Sequence, residues 1–239
     1  MKIDVHFTPL GLNPGDLAGR GIVVFDVLRA TTTVITALAN GAKEVIPAAT
    51  SEEAVRLASN LEKDGVLLAG ERKSVKIEGF ALGNSPLEMT PEVVAGKTIV
   101  LATTNGTPAL VASQGGDPVL VGAPVNFAAL TVRAREALRD RGELIIVCAG
   151  RERQFALEDA YTAGRLVKAV KKGFGKLELN DSARAALALT GAYDDWADAF
   201  NGTAAARQLK EANLSADIAF CAKPNRFGAV PQYAERRIT

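Results

Sequence analysis

The feature that most constrains this chain is a recurring short apolar run without polar alternation, closed by glycine or a charged residue. Such runs stand at Gly21 to Phe25, Glu44 to Ile46, Val66 to Ala69, Thr98 to Ala102, Pro118 to Val121 and Leu144 to Cys148. A strand that is apolar on both faces must be covered on both faces, and helical crossovers do this for parallel strands. The pattern therefore predicts an α/β protein, a layered α/β/α arrangement with a largely parallel or mixed sheet. Met1 to Phe7 instead alternates in polarity, as a half-exposed strand does.

Helices are expected between these runs, over Thr33 to Ala39, Glu52 to Lys63, Ala109 to Ser113, Phe127 to Arg141 and Leu157 to Lys171. Ser51 with the acids after it reads as one helix start, and Lys171-Lys172-Gly173 as a helix end suited to the macrodipole. The stretch Glu71 to Gly96 is too polar and glycine-rich for a central element and reads as a long functional loop. Ala-rich helices are expected at Ser182 to Leu189 and Thr203 to Ala212, with a last apolar turn or strand at Asp217 to Cys221. No low-complexity linker divides the 239 residues, so the chain reads as a single domain. Two similar subdomains sharing one sheet system are compatible with it.

Lys and Arg (28) nearly cancel Asp and Glu (27), so no global field draws in nucleic acid or a membrane surface, and any anion site must be local. Cys148 and Cys221 match no metal or redox spacing and suit a reducing compartment. Asp4 and His6 interrupt what a secretory leader would need, and no apolar run reaches the roughly 20 residues that span a bilayer; a cytoplasmic location is expected. The Ala-rich helices suit a core or an interface, so a homodimer is compatible with the chain.

The chemistry concentrates where strands end. Asp26 follows Gly21 to Phe25, Arg29 comes three residues later, and Thr31, Thr32 and Thr33 open a helix. A helix start with free N–H groups, hydroxyl donors and a guanidinium fork suits phosphate or sulfonate oxygens, and the carboxylate beside them could hold magnesium or attack phosphorus. The same residues also serve simply to end a strand and cap a helix. Thr103, Thr104, Asn105 and Gly106 repeat the arrangement after Thr98 to Ala102, with Thr107 as cap and Pro108 at the first helical position. Gly70-Glu71-Arg72 and Cys148-Ala149-Gly150 end two further runs, and Glu158-Asp159 lies in the first turn of a helix, where the dipole accounts for acids as well as a metal would. Loops at strand ends of open α/β sheets are where ligands sit.

Several mechanisms are disfavoured. His6 is the only histidine, which removes a histidine-rich zinc site and makes histidine-dependent hydrolysis a poor fit. A Cys-x5-Arg phosphatase loop built on Cys148 would need arginine where Gln154 stands, and a haloacid-dehalogenase loop built on Asp26 would need aspartate where Leu28 stands. Neither a P-loop lysine motif nor Gly-x-Gly-x-x-Gly follows a strand.

Taken in order, Asp26-Val-Leu-Arg-Ala-Thr-Thr-Thr33, Gly70-Glu-Arg72, Gly79-Phe-Ala-Leu-Gly-Asn-Ser-Pro86, Thr103-Thr-Asn-Gly-Thr107, Cys148-Ala-Gly150 with Glu158-Asp159, then Asp217 and Asn225 to Pro231, resemble the 2-phosphosulfolactate phosphatase family. The resemblance runs nearly end to end. It implies an α/β/α fold and a magnesium-dependent hydrolase that converts (R)-2-phosphosulfolactate to sulfolactate and phosphate, a step associated with coenzyme M biosynthesis. A related phosphorylated 2-hydroxy acid is an alternative substrate. Asp26, Arg29, Glu71 and Asp159 are the catalytic candidates, with Asp26, Glu71 and Asp159 as the Mg2+ candidates. Thr31, Thr32, Thr33, Arg72, Asn84, Ser85, Thr103, Thr104, Asn105, Gly106 and Gly150 are the substrate-binding candidates. The family commonly has an acid after Gly79-Phe80, where this chain has Ala81. A noncatalytic binding protein for such an acid, and a metal-dependent lyase or isomerase, are the competing readings.

Overall fold

The structure is a computed structural model and describes residues 1–61 and 65–239; the end of the helix expected over Glu52 to Lys63 falls outside them. In chain order the elements are β1 (Lys2–His6), α1 (Pro14–Leu17), β2 (Gly21–Phe25), α2 (Ala30–Ala39), β3 (Glu44–Ala48), α3 (Ser51–Ser59), β4 (Val66–Arg72), β5 (Val75–Lys76), α4 (Pro91–Val94), β6 (Thr98–Ala102) and α5 (Gly106–Ala112). There follow β7 (Val119–Gly122), α6 (Phe127–Arg141), β8 (Glu143–Cys148), α7 (Leu157–Lys171), β9 (Glu178–Leu179), α8 (Asp181–Leu189), α9 (Trp196–Asn201), α10 (Ala204–Glu211), α11 (Ser215–Cys221), β10 (Tyr233–Ala234) and β11 (Arg237–Ile238).

The strands form two sheets. One is parallel throughout, in the order β7-β2-β8-β1-β9. The other is mixed, in the order β10-β11-β3-β6-β4-β5, with β3, β6 and β4 parallel and the outer strands antiparallel. The chain enters the first sheet, builds the centre of the second, returns to the first and finishes on the edge of the second. The sheets are thus interleaved along the sequence.

Alternation across β3 and β6 explains how the second sheet is buried on both faces. Val45, Ile99 and Leu101 face the main core, which they share with Ile22, Val24 and Ile146 of the other sheet. Ile46, Ala48, Val100 and Ala102 face a smaller core closed by Ala54 of α3 and by Phe80. Runs apolar on both faces in the sequence are therefore strands covered on both faces in the fold, an α/β arrangement of layers around two sheets.

Several local expectations change. Asp217 to Cys221 is helix, not turn or strand, because its buried residues Asp217, Ile218 and Cys221 recur at helical spacing rather than every second position. Thr50, not Ser51, caps α3: its Oγ accepts from the Glu53 amide at 3.1 Å, while the Glu53 carboxylate accepts from the Ala49 amide at 2.8 Å. The stretch from Glu71 is no single loop either, since β4 continues to Arg72, turns back into β5, and α4 follows later. Helices α2 and α5 begin three residues before Thr33 and Ala109, at Ala30 and Gly106, so Asn105 rather than Thr107 precedes α5 and Pro108 is its third residue instead of its first. Asn225 to Pro231 lies against the start of α6, with the Asn225 side chain accepting from the Ala128 amide at 2.8 Å.

Candidate active site

Strands of both sheets point their carboxyl ends at one cleft: β2 leads into Asp26, β4 carries Glu71, β6 leads into Thr104, and β8 leads into Gly150. Its inner cavity, of about 50 Å³, is lined by the acids Asp26, Glu71, Glu152, Glu158 and Asp159 and by the bases Arg29, Lys73 and Arg151, together with Asn84, Thr104, Asn105 and Gly150.

Asp26 is held at the mouth of α2, where its Oδ1 accepts from the Ala30 amide at 3.3 Å. The three threonines act behind it. Thr31 Oγ donates to the Asp26 carbonyl at 2.9 Å, Thr32 Oγ to the Val27 carbonyl at 3.0 Å and Thr33 Oγ to the Asn84 carbonyl at 2.9 Å. All three are buried and none lines the cavity. They tie the Asp26 loop to its helix and to the Asn84 segment. Thr103 is committed in the same way, by a reciprocal pair of backbone-to-hydroxyl bonds with Thr107.

Glu71 joins the β4 end to the β6 loop, its two oxygens accepting from the Ser74 and Thr104 amides, both at 2.8 Å. Asp159 does the same for the first sheet, accepting from the Val27 amide at 2.9 Å and the Gly150 amide at 3.2 Å. Gly150 is needed there twice over: its φ is +66°, and a Cβ would run into the Gln154 carbonyl. The first turn of α7 is thus more than a match for the dipole, because Glu158 and Asp159 are both buried at the cavity wall.

Arg29 Nη1 pairs with Asp217 Oδ2 at 2.7 Å, and the other Asp217 oxygen accepts from Ser85 Oγ at 2.7 Å. Ser85 is thereby committed away from the cavity, and Arg29 Nη2 also donates to the Ser74 carbonyl at 3.3 Å. Arg72 leaves on the opposite side of β4 from Glu71, as successive strand residues must, and its charge reaches Glu52 on α3. Its neighbour Lys73 lines the cavity instead. Gly106 packs directly behind Asp26: a Cβ there would lie 2.7 Å from Asp26 Oδ2 and 2.5 Å from the Ala30 Cβ. Ala81 is exposed and outside the cavity, so the acid lacking at that position takes nothing from its wall.

Burial sets the electrostatics. It raises the Asp26 carboxyl to about 7 despite the Ala30 N–H bond, with Glu71 and Glu158 adding to the rise. Asp159 is pushed well up by burial and then by Asp26 and Glu158, and Glu158 is raised by burial as well. The Cys148 thiol is buried and pushed far up, by desolvation first and then by Asp159 and Glu158, so no thiolate nucleophile is available there. The Asn84 side-chain oxygen is buried with no hydrogen-bond partner among the described residues, although the residue lines the cavity.

Eight of the expected residues therefore converge on the cavity: Asp26, Arg29, Glu71, Asn84, Thr104, Asn105, Gly150 and Asp159. Thr31, Thr32, Thr33, Arg72, Ser85, Thr103 and Gly106 stand behind or beside it. Lys73, Ser74, Arg151, Glu152, Glu158 and Gln208 line it without having been named as binding or catalytic candidates. Adjacency to Glu71 and Gly150 was the available signal for Lys73 and Arg151; Gln208, on a distant helix, had none.

Two sheets aiming strand ends at a buried, carboxylate-rich cleft with cations at its edge define an α/β protein built around a small polar ligand site. The chain belongs to the 2-phosphosulpholactate phosphatase family, whose pattern it matches over residues 7–236. By name, this is a family of phosphoric monoester hydrolases. Among similar proteins named "Probable 2-phosphosulfolactate phosphatase", that of Caldanaerobacter subterraneus subsp. tengcongensis is 41% identical over 97% of this chain and 95% of its own length. One from Clostridium acetobutylicum is 35% identical over the whole of both chains, and one from Symbiobacterium thermophilum 39% identical over 93% of this chain and 95% of its own.

Proposed function

We propose that this protein is a magnesium-dependent phosphatase that hydrolyses 2-phosphosulfolactate to sulfolactate and phosphate. The observation that carries the metal requirement is the crowding of buried carboxyls around the inner cavity. Five carboxyl groups face three cations there, and Arg29 is already paired with Asp217. Crowding and burial hold Asp26, Glu158 and Asp159 toward their protonated forms in the metal-free protein, and a divalent cation among them would favour the ionised forms while offsetting the charge of a substrate that bears phosphate, carboxylate and sulfonate.

The donor chemistry fits a hard divalent ion. Glu71 and Asp159 would supply carboxylate oxygens, and Asn84 an amide oxygen that no described residue hydrogen-bonds, while Asp26 is left as the acid. Among the described residues no three acids, cysteines or histidines stand close enough together to hold a metal ion between them, so a bound ion would take no more than two of these carboxylates. That suits Mg2+, which commonly keeps several waters and takes only one or two carboxylates along with substrate phosphate. When bound, the ion supplies charge neutralisation at the phosphoryl oxygens.

The protein's own groups do the rest. Arg29, the Thr104 hydroxyl and the Asn105 segment orient the phosphoryl group. Asp26, which burial keeps protonated up to about pH 7 in the metal-free protein, gives its proton to the ester oxygen of the leaving alcohol as the P–O bond breaks and water adds to phosphorus, and a proton lost by that water restores the Asp26 carboxyl. Glu71 and Asp159 keep the loops of the two sheets in register around that point.

The test is phosphate release from 2-phosphosulfolactate with magnesium and with EDTA. Release that needs the metal is expected; equal release in EDTA removes the metal from the reading, and no release in either removes the reaction. A single turnover is expected to leave no phosphate on Asp26, whereas a phosphoenzyme would be trapped there as an acyl phosphate that borohydride reduces to homoserine.

A further inference from the structure

Beyond the inner cavity the cleft widens into an outer chamber of about 590 Å³. Lys73, Arg151, Glu152 and Gln208 line both, so the two form one opening. Their sizes separate their roles. At roughly 10–15 Å³ per water the inner cavity has room for a few water-sized groups. The outer chamber falls within the roughly 300–1,000 Å³ typical of ligand clefts. A phosphorylated three-carbon acid can therefore seat its phosphoryl group inside only with its carbon skeleton in the outer chamber.

The charges differ as well. The outer chamber is edged by Lys73, Arg151 and Arg207 against Glu152 and Glu211. None of the three cations forms an ion pair with a described residue. Arg207 is committed to the Gly202 carbonyl at 2.9 Å, which leaves Lys73 and Arg151 facing the junction of the two compartments.

Both are held in register with the reacting centre. Lys73 (φ +51°) sits in the tight turn between β4 and β5, whose next residue donates its amide to Glu71 at 2.8 Å. Arg151 precedes a second tight turn, Glu152 (φ +51°) and Arg153 (φ +64°), fastened by the Glu152 amide to Asn105 Oδ1 at 3.0 Å. The Arg151 guanidinium donates to the Gln208 side chain, which aims it across the opening.

We infer that Lys73 and Arg151 are specificity-determining residues that bind the sulfonate of the leaving group while the phosphoryl group occupies the inner cavity. This rests on the phosphatase reading above and extends it to two residues with no part in the phosphoryl chemistry. A guanidinium fork and an ammonium on opposite turns match a three-oxygen anion, whereas a substrate ending in a methyl group leaves both unused.

The experiment titrates wild type, Lys73→Met and Arg151→Met with sulfolactate and with lactate, and compares kcat/KM for 2-phosphosulfolactate with that for 2-phospholactate, which lacks only the sulfonate. In each variant the preference for the sulfonated ligand and substrate is expected to fall about 10- to 100-fold, the size of a lost charge-assisted hydrogen bond. Arg151→Lys is expected to recover part of it. Equal losses on both substrates, or a wild type without preference for sulfolactate over lactate, overturn the inference. Were Arg151→Met to unfold, Lys73→Met and Arg151→Lys would decide alone: a preference unchanged in both overturns it. A wild type that binds sulfolactate selectively, loses that preference in the variants and releases no phosphate from 2-phosphosulfolactate would leave the inference standing and remove the phosphatase reading.

Discussion

Arg29 and Asp217 form a buried ion pair at 2.7 Å across 188 residues of sequence, with both side chains almost wholly removed from water. Asp217 also accepts from Ser85, so one carboxylate on α11 aims the guanidinium at the cavity and fastens the segment that carries Asn84. Removing one partner leaves a buried charge uncompensated, which costs about 3–5 kcal/mol. Asp217→Ala is expected to lose that much in chemical denaturation and to lose phosphatase activity with it. The double variant Arg29→Met/Asp217→Leu should regain most of the stability and none of the activity. A double variant no more stable than Asp217→Ala would mean the pair is not what binds α11 to the site.

Asp26 couples stability to pH. Its carboxyl titrates near 7 in the folded chain and near about 3.9 unfolded, so the folded state favours the protonated form. The stabilisation from holding that proton is complete below about pH 4 and is lost as pH rises through 7. Asp26→Asn removes this dependence. Measured in EDTA, the stability gain of Asp26→Asn over wild type should be small near pH 4 and grow to a few kcal/mol by pH 8, at about 1.4 kcal/mol per pKa unit. Turnover should be lost at every pH. A gain that does not vary with pH would contradict the raised acidity constant.

Gly106→Ala tests the contact behind Asp26. The added methyl would press on Asp26 Oδ2 and on Ala30, and both belong to the packed start of α2. Overpacking of this kind costs about 1–3 kcal/mol, and a displaced carboxyl should lower kcat about 100-fold. A fully active Gly106→Ala protein would show that Asp26 tolerates displacement.

Glu71→Gln keeps the shape but turns an amide NH2 toward one of two backbone donors, Ser74 or Thr104. One N–H then loses its acceptor, at a cost of about 1–3 kcal/mol. Hydrogen exchange at those two amides should accelerate, and exchange unaltered at both would show that Glu71 does not hold the turns.

The strands were legible because burial on both faces writes itself into short stretches. Gly21–Phe25 and Thr98–Ala102, and the helices Phe127–Arg141 and Leu157–Lys171, fall where hydrophobic pattern and charged ends place them. The candidate site was legible at its strand ends, Asp26, Glu71, Thr104 and Gly150, since polar groups after apolar strands collect where the carboxyl ends of a sheet meet. The threonines were not separable into binding and bracing groups, because a hydroxyl suited to phosphate is equally suited to a carbonyl one turn away.

By itself, then, the sequence determined the α/β layering, the positions of the main strands and the loops that meet at the cleft, since each depends on interactions within a few residues. Only the tertiary structure decided that Thr31, Thr32 and Thr33 brace the loop from behind, that Lys73 rather than Arg72 faces the cavity, and that Asp217 aims Arg29. These depend on how a strand is rolled against its neighbours and on partners more than a hundred residues apart. Desolvation likewise raises Asp26 only once four segments from two sheets have closed around it.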